Sequence, residues 1–274
     1  MQNQSYTHWE HLIQDGGSTD NTVAIVQRYP HLKWESGSDL GQSDALNRAY
    51  RRSTGDLIVC LNADDTFEPG VFAQVVRYFT AHPTSRFVTG PLQLVYSKQT
   101  ITHLPATTLP EILVLAPYNF PQNPVSYFYY REVQERVGLW PVDNHLSMDY
   151  WFLLRAYQQY PIHLLPDVMG QFYIHGTNKS KDGVACQQSQ FAVRKQFLQQ
   201  IVTDRLQGMP PETEQPLAYL LEGLGKASVE REAAALLNAH RQKIKQQKNL
   251  LAQFQQPWFL FRHLVNVLLT KLFG

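Results

Sequence analysis

The chain has 274 residues, 43% of them hydrophobic, which is enough for one large or two small domains with a buried core. Lysine and arginine (24) nearly balance aspartate and glutamate (23), so no overall positive charge favours a nucleic-acid partner. The two cysteines exclude a disulfide framework, and the sequence shows neither a signal-peptide core nor an uncharged apolar run of about 20 residues. We therefore expect a globular cytoplasmic protein.

The first predicted strand, residues 11–14, ends in Asp15 and leads through two glycines into a helix over Val23–Tyr29, which Pro30 ends. An acid at this place can accept hydrogen bonds from a nucleobase or a ribose. An Asp-Gly-Gly-Ser sequence is also an ordinary loop between a strand and a helix. The residues alone leave both interpretations open.

A second strand, Leu32–Glu35, precedes a helix that carries apolar residues from Ala45 to Tyr50, with Asp44 in its first turn as a helix cap. A third, apolar strand follows over Leu57–Leu61. Strand, helix, strand, helix and strand within about 60 residues predict βαβ units and a mostly parallel sheet.

The third strand ends in Asn62, and Asp64 and Asp65 follow. Two adjacent carboxylates at the carboxyl end of a parallel strand lie where such sheets bind ligands, and they repel each other unless a cation or a proton separates them. Mg²⁺ carrying substrate phosphates is the cation that such a site holds best. The alternative is a polar turn that caps the next helix, with Pro69 near its first turn.

The pattern then predicts a helix over Val71–Phe79, a strand over Arg86–Tyr96 with an interruption at Gly90, and an aromatic strand over Val125–Tyr130. The proline- and threonine-rich residues Ile101–Pro124 indicate a loop. The sheet is thus expected to continue beyond the acidic turn.

Two single residues stand out in the next segment. Asp149 lies in the first turn of a predicted helix, where the helix dipole stabilises a carboxylate by roughly 0.3 to 1 kcal/mol and favours its ionised form. His175 ends a predicted strand, Gly170–His175, where a histidine is either structural or a ligand. Both residues have sufficient structural explanations on their own.

From Gly183 on, helix-forming residues predominate, and helices are predicted over Ala185–Leu206 and Ser228–Phe254. Residues 257–274 form a predicted amphipathic helix that suits a membrane interface, with the basic residues before it attracted to anionic lipid. Docking of this helix on protein is the alternative.

Several motifs together resemble the nucleotide-sugar domain of glycosyltransferase family 2. Four occur in the family's order: DGGSTDNT (15–22), DLGQSDALNRAY (39–50), TGDLIVCLNADD (54–65) and EPG (68–70). Two later segments, NFPQNPVSYFYYREVQERVGLW (119–140) and MDYWFLLRA (148–156), resemble the acceptor-side segment and the start of the catalytic helix. The resemblance implies an α/β fold of the GT-A type, Rossmann-like, followed by a helical carboxyl-terminal region.

The resemblance also implies an inverting transfer of a sugar from a nucleotide-diphosphate sugar to a carbohydrate or lipid-linked acceptor, in polysaccharide or glycolipid synthesis. Asp149 takes the role of catalytic base, and the implied cofactor is Mg²⁺ or Mn²⁺. The other roles are nucleotide binding by Asp15, Asp44 and Asp64, metal binding by Asp65 and His175, phosphate binding by Lys179, and the sugar or acceptor pocket at Gln122 and Asn123. A membrane contact through 257–274 would place the protein at the inner face of the plasma membrane.

The chain departs from the family pattern in two places. Many members carry an acid where this chain has Asn62, which predicts weaker metal binding. The family's first strand is absent, and in the sheet order 3-2-1-4 it lies between the strand ending at Asp15 and the strand ending at Asn62. Because each orphaned buried backbone group costs about 1–3 kcal/mol, we expect either a natural start upstream or abnormal pairing across the gap.

Two other functions remain open from the residues. A sugar nucleotidyltransferase shares the architecture but normally needs a glycine-rich basic loop near the absent first strand. A non-catalytic nucleotide-binding or interaction protein is the second alternative. The expected regions are a catalytic domain, 1–183, a helical extension, 184–256, and the amphipathic helix, 257–274.

Overall fold

A computed structural model describes residues 1, 3–107 and 120–206. The chain divides into two compact units, Met1–Thr107 with Phe120–Gln190 and Thr108–Asn119 with Phe191–Gly274. The predictions for Ser228–Phe254, for 257–274 and for residues 108–119 of the expected loop lie outside the described residues. None of the described helices is both long and apolar enough to cross a membrane.

The described residues form ten strands and six α-helices, which alternate singly only over the first three strands. The strands are β1 His11–Asp15, β2 Leu32–Ser36, β3 Leu57–Ile58, β4 Thr66–Phe67, β5 Phe87–Thr89, β6 Leu92–Val95, β7 Thr100–His103, β8 Tyr127–Tyr130, β9 Ile162–Leu164 and β10 Gly170–Tyr173. The helices are α1 Thr22–Val26, α2 Gln42–Arg52, α3 Val71–Ala81, α4 Arg131–Val137, α5 Met148–Gln159 and α6 Gly183–Leu206.

The strands form three sheets, with the orders β1-β2, β3-β8-β5-β9 and β4-β10-β6-β7. The predicted α/β fold is confirmed. The expectation of mostly parallel pairing is wrong, because only three of the seven strand pairs in the described residues are parallel. One reason is that β6 and β7 are joined by a tight turn, closed by a hydrogen bond from Tyr96 N to Gln99 O (2.8 Å), whereas parallel pairing needs a long crossover.

Several predicted boundaries change in the structure. The strand expected over Leu57–Leu61 is reduced to β3, which pairs only with β8 among the described strands. The strand expected over Arg86–Tyr96 breaks at Gly90 into β5 and β6, which belong to different sheets. Strand β7 lies where a loop was expected, because its pairing with β6 depends on the turn between them and not on an apolar pattern.

The sheets pack against helices through two groups of apolar side chains. Helix α3 buries Val71, Phe72, Val75 and Phe79 in a cluster that also contains Phe128 of β8. Helix α5 buries its apolar face almost completely, with Phe152, Leu153, Leu154 and Ala156 all at 0% exposure. Each such side chain stabilises the fold by about 1.5–3 kcal/mol. The packing of these buried side chains therefore fixes the position of α5, including its first turn.

The sheet containing β1 and the sheet containing β3 do not join. In the part of the chain that the structure describes, β1 pairs only with β2, and β3 pairs only with β8. Of the two expectations for the missing strand, abnormal pairing across the gap is therefore wrong for these residues. The expectation of an upstream start stays a prediction.

Candidate active site

Asp15 ends β1 and holds the turn that follows it. Its Oδ2 accepts hydrogen bonds from Gly17 N (3.1 Å), Ser18 N (2.9 Å) and Ser36 Oγ (2.5 Å), and its Oδ1 accepts one from Ser18 Oγ (2.5 Å). Hydrogen bonds from Ser18 and Ser36 lower the pKa of Asp15 to about 2. Both carboxylate oxygens thus accept hydrogen bonds from the loop, and Oδ2 accepts one more from the end of β2, so Asp15 has the structural role that the Asp-Gly-Gly-Ser sequence left open.

Asp44 is occupied in a similar way at the start of α2. Its Oδ2 accepts hydrogen bonds from Leu40 N (3.1 Å) and from a guanidinium nitrogen of Arg48 (2.7 Å). The Leu40 amide in particular holds the pKa of Asp44 below its usual value. This geometry is that of a helix-start residue, one of the two roles that the sequence left open.

Asp65 joins three separate parts of the chain. Its Oδ2 accepts hydrogen bonds from Asn62 Nδ2 (2.9 Å) and Asn123 Nδ2 (2.6 Å), and its Oδ1 accepts one from Tyr173 N at the end of β10 (3.1 Å). The residue is only 5% exposed, and this burial raises its pKa despite the three donors. Asp65 is therefore the buried acceptor that brings the acidic turn, the segment before β8 and β10 together.

Asp64 is oriented differently from its neighbour. Its Oδ2 lies 2.9 Å from His175 Nε2 and 3.4 Å from Asn178 Nδ2. The side chains of Asp64 and His175 are 43% and 44% exposed, so both can reach a ligand in solvent. Of the two adjacent carboxylates, the geometry makes Asp64 the accessible one.

No group of three or more His, Cys, Asp or Glu residues in the described ranges is arranged to hold a metal ion. The pair formed by Asp64 and His175 nevertheless suits Mg²⁺ or Mn²⁺, since a substrate diphosphate supplies most of the oxygens when such an ion is held by only one or two protein groups. Asp65 suits the ion less well than predicted, because its oxygens already accept three hydrogen bonds.

A line of side-chain amides connects this acidic turn with the second part of the site. Asn62 Oδ1 accepts a hydrogen bond from Gln42 Nε2 (3.0 Å), and Gln42 Oε1 accepts one from Lys179 Nζ (3.2 Å). Gln42 is the first residue of α2, where it follows Gly41, whose φ of 102° is in the region that favours glycine. Lys179 is thereby held against α2, and burial lowers its pKa, although the charge of Asp149 acts in the opposite direction.

Asp149 is the second residue of α5, as predicted, and is half-buried. Burial of its carboxyl group raises the pKa to about 6, while hydrogen bonding to the Tyr150 amide (2.8 Å) and the charge of Lys179 act in the opposite direction. The helix dipole was expected to favour the ionised form, but the net shift of the pKa is upward. Desolvation exceeds the dipole effect, and the result is a carboxylate whose basicity is suited to proton transfer near neutral pH.

The predicted sugar pocket receives less direct support. Asn123 is 1% exposed, and its Oδ1 accepts a hydrogen bond from Val125 N (3.0 Å) while its Nδ2 binds Asp65. The buried Asn123 side chain therefore supports Asp65 and is not exposed to a ligand. Gln122, beside it, is half-buried.

Sequence reasoning missed three residues that the structure brings into the site. Gln42 and Asn178 act as amide bridges, and Asp39 lies so close to the first glycine turn that a Cβ on Gly16 would be 2.8 Å from its carboxylate. Gln42 and Asp39 lie inside the motif 39–50, but amides and turn acids carry no periodic signal. Only their contacts across more than 20 residues identify them.

The raised pKa of Asp149 predicts a pH-dependent effect on stability. A group whose pKa is higher in the folded than in the unfolded chain stabilises the fold below the unfolded value, near 4, and this contribution is lost as the pH rises through about 6. Asp149→Asn removes the cost of the buried charge, which is at most about 3 kcal/mol for a shift of this size. Thermal unfolding should therefore show a stabilised variant at pH 8, with the difference smaller at pH 5 and absent near pH 4. Asp143→Asn, at an exposed position just before α5, is the control, and an equal difference for Asp149→Asn at all pH values would contradict the assignment.

Comparisons with known proteins agree with this geometry. The model of the family described as glycosyl transferase family 2 matches residues 1–163. An uncharacterized glycosyltransferase of Bacillus subtilis strain 168, YwdF, is 25% identical over 206 residues, which are 69% of this chain and 70% of YwdF. Other glycosyltransferase relatives, among them a beta-monoglucosyldiacylglycerol synthase of Synechocystis, are 30–38% identical over 71–81 residues. The matched part spans only 16–27% of their own length.

Solved structures show the same fold. TarS of S. aureus in complex with UDP-GlcNAc superposes with a TM-score of 0.57 at 16% identity, over 73% of this chain and 60% of TarS. The mannosyltransferase PcManGT of Pyrobaculum calidifontis, in complex with GDP-Man and Mn²⁺, superposes with a TM-score of 0.52 at 20% identity, over 96% of this chain and 77% of that protein. With the family model covering more than half of its length, the chain belongs to glycosyltransferase family 2 and has the GT-A fold.

Proposed function

We propose that this glycosyltransferase moves a sugar from a nucleotide-diphosphate sugar to an acceptor hydroxyl with inversion at the anomeric carbon. The observation that carries the proposal is Asp149, a carboxylate with a pKa of about 6 at the start of α5, whose charge interacts with that of Lys179, which in turn hydrogen-bonds through Gln42 to the acidic turn after β3. A base at one end of the site and a cation-binding acid at the other are what a single displacement needs. The nucleotide sugars in the two GT-A neighbours support the choice of donor.

In the proposed reaction, Asp149 accepts the proton of the acceptor hydroxyl as that oxygen attacks the anomeric carbon. The new bond forms between the acceptor oxygen and the anomeric carbon, and the bond to the diphosphate oxygen breaks on the opposite side. The electron pair of the broken bond stays on the nucleotide diphosphate. A pKa of about 6 leaves Asp149 mostly ionised at pH 7 while keeping it a stronger base than an exposed aspartate.

Asp64 and His175 are the residues that would hold Mg²⁺ or Mn²⁺ on the diphosphate. When bound, the ion offsets the negative charge that develops on the leaving group. Asp65 supports the positions of both residues. It accepts a hydrogen bond from Tyr173 N, two residues before His175, and it is the neighbour of Asp64 in the chain. Lys179 contributes a second positive charge on the side of Asp149.

The proposed acceptor is a carbohydrate or a lipid-linked carbohydrate in polysaccharide or glycolipid synthesis, with residues 257–274 in contact with a membrane surface. The amphipathic pattern of that segment supports this proposal. Flotation of the chain with anionic liposomes should fall at least severalfold when 257–274 are removed. Equal flotation of the shortened chain would contradict the membrane contact.

The metal assignment predicts how nucleotide diphosphates bind. Calorimetric titration with UDP and GDP should show binding that Mn²⁺ strengthens and a chelator removes. Asp64→Asn and His175→Ala should each weaken the Mn²⁺-dependent part by roughly 10-fold or more, since each removes one of two protein ligands. Asp143→Asn, an exposed substitution outside the site, should bind like the unaltered protein. Binding that is independent of metal would exclude the assignment, and the absence of any binding would favour a non-catalytic protein.

The role of Asp149 predicts a loss of turnover without a loss of binding. Asp149→Asn should reduce release of the nucleotide diphosphate from a donor sugar by roughly 10²–10⁴-fold, while calorimetry shows unchanged binding of the nucleotide. In the unaltered enzyme kcat/KM should decline below a pH of about 6, as the base becomes protonated. Normal turnover in Asp149→Asn would exclude this residue as the base, and Asp143→Asn again serves as the control.

A further inference from the structure

The turn after β10 is held by one buried side-chain amide. Asn178 is 8% exposed, and its Oδ1 accepts a hydrogen bond from His175 N, while its Nδ2 donates one to Tyr173 O (3.1 Å). The same Nδ2 lies 3.4 Å from Asp64 Oδ2 and 3.3 Å from His175 Nε2. Asn178 therefore fixes the backbone of the turn and contacts both side chains of the pair that suits a divalent cation.

Each ring nitrogen of His175 has a different partner. Nε2 lies 2.9 Å from Asp64 Oδ2, and Nδ1 lies 2.8 Å from Thr177 Oγ1. An ionised carboxylate can only accept a hydrogen bond, so Nε2 carries a hydrogen in this arrangement. A hydroxyl can both donate and accept, so Thr177 suits Nδ1 whether or not that nitrogen carries a hydrogen.

Binding of a cation by His175 requires the opposite tautomer. Histidine binds metal ions through a ring nitrogen that has no hydrogen, and the other nitrogen donates its hydrogen to a nearby acceptor, which fixes the ring. If Nε2 is the ligand, the hydrogen lies on Nδ1, where Thr177 Oγ1 is in place to accept it. The hydroxyl needs only to rotate, because its oxygen can keep its position. The neutral ring can thus lose a hydrogen from Nε2 and gain one on Nδ1, through solvent, with no change in net charge.

The alternative is that His175 and Asp64 form a permanent ion pair that binds no ligand. Their side chains are 44% and 43% exposed, and ion pairs at such positions stabilise a fold only weakly. The hydrogen bond from Thr177 and the buried amide of Asn178 orient the ring more strictly than such a pair requires. Orientation by neighbouring side chains is typical of histidines that bind metals.

We propose that Thr177 is a positioning residue of the cation site, whose hydroxyl accepts the hydrogen of His175 Nδ1 and so leaves Nε2 free to bind Mg²⁺ or Mn²⁺. Asn178 has the complementary task of holding the turn that carries the ring. This role rests on the assignment of Asp64 and His175 to the metal in the proposed function. Thr177 acts through His175 and does not need to touch the substrate or the ion.

The first test compares two substitutions at the exposed Thr177. Thr177→Val keeps nearly the same shape but has no hydroxyl, whereas Thr177→Ser keeps the hydroxyl. In calorimetric titrations with UDP and with GDP, Thr177→Val should weaken the Mn²⁺-dependent part of binding by roughly 10-fold or more, and Thr177→Ser should bind like the unaltered protein. Any binding that remains in a chelator should be equal in all three proteins, because the hydroxyl acts only on the metal ligand.

The outcomes distinguish this role from the metal assignment. If Mn²⁺ strengthens binding in the unaltered protein but Thr177→Val and Thr177→Ser bind equally, the metal assignment stands and the role of Thr177 is overturned. If Mn²⁺ has no effect on the unaltered protein, both are overturned.

Nitrogen-15 NMR of the histidine-labelled, unaltered chain tests the tautomer itself and does not depend on the folding of Thr177→Val. The signals of His175 are those that His175→Ala lacks. The hydrogen should be found on Nε2 in the metal-free protein and on Nδ1 after addition of the tighter-binding nucleotide with Zn²⁺, a diamagnetic ion that imidazole also binds. A hydrogen that stays on Nε2 in the loaded protein would overturn the proposal.

Discussion

The buried carboxylate of Asp65 is the contact on which the geometry of the candidate site depends. Three donors from distant parts of the sequence, Asn62, Asn123 and the amide of Tyr173, converge on its two oxygens. Removing the acceptor would leave these donors unsatisfied, at a cost of about 1–3 kcal/mol for each buried group. The same contacts determine where Asp64 and His175 lie, since each is a near neighbour of one partner in the chain. Asp65, the neighbour of the exposed Asp64, is thus the residue whose hydrogen bonds hold the site together.

Asp64 and Asp65 are adjacent in the sequence, but the fold exposes the first side chain and buries the second. Both are aspartates at a strand end, and nothing in their order distinguishes the exposed side chain from the buried one. The distinction comes from β10, whose backbone reaches Asp65 from 108 residues away. A contact of this kind has no local pattern, so the sequence predicted the acidic pair but not which of its two side chains is buried. The resemblance predicted the location of Asp149 correctly, but its raised pKa depends on burial that only the folded chain produces.

The fold was predictable to a similar degree. The βαβ order, the helices α2, α3 and α5 and the break at Gly90 follow from apolar spacing, glycine and proline, which are local signals. Strand β7 and the antiparallel pairs were missed, because they depend on which strands become neighbours. The gap between β1 and β3 was predictable only because the family's first strand is missing from the order of the motifs. Its form as an open apolar cavity, and not as a new strand pair, required coordinates.

The line of contacts from Lys179 through Gln42 and Asn62 to Asp65 runs largely through neutral amides. Hydrogen bonds between neutral groups are little affected by ionic strength, unlike exposed ion pairs. Asp149 lies outside this line, and its carboxyl group accepts a hydrogen bond from the backbone amide of Tyr150. None of the hydrogen bonds in this line involves the Asp149 carboxyl group, so its protonation can change without breaking any of them. In the proposed reaction, proton transfer at Asp149 and positioning of the donor would therefore depend on different hydrogen bonds of one small site.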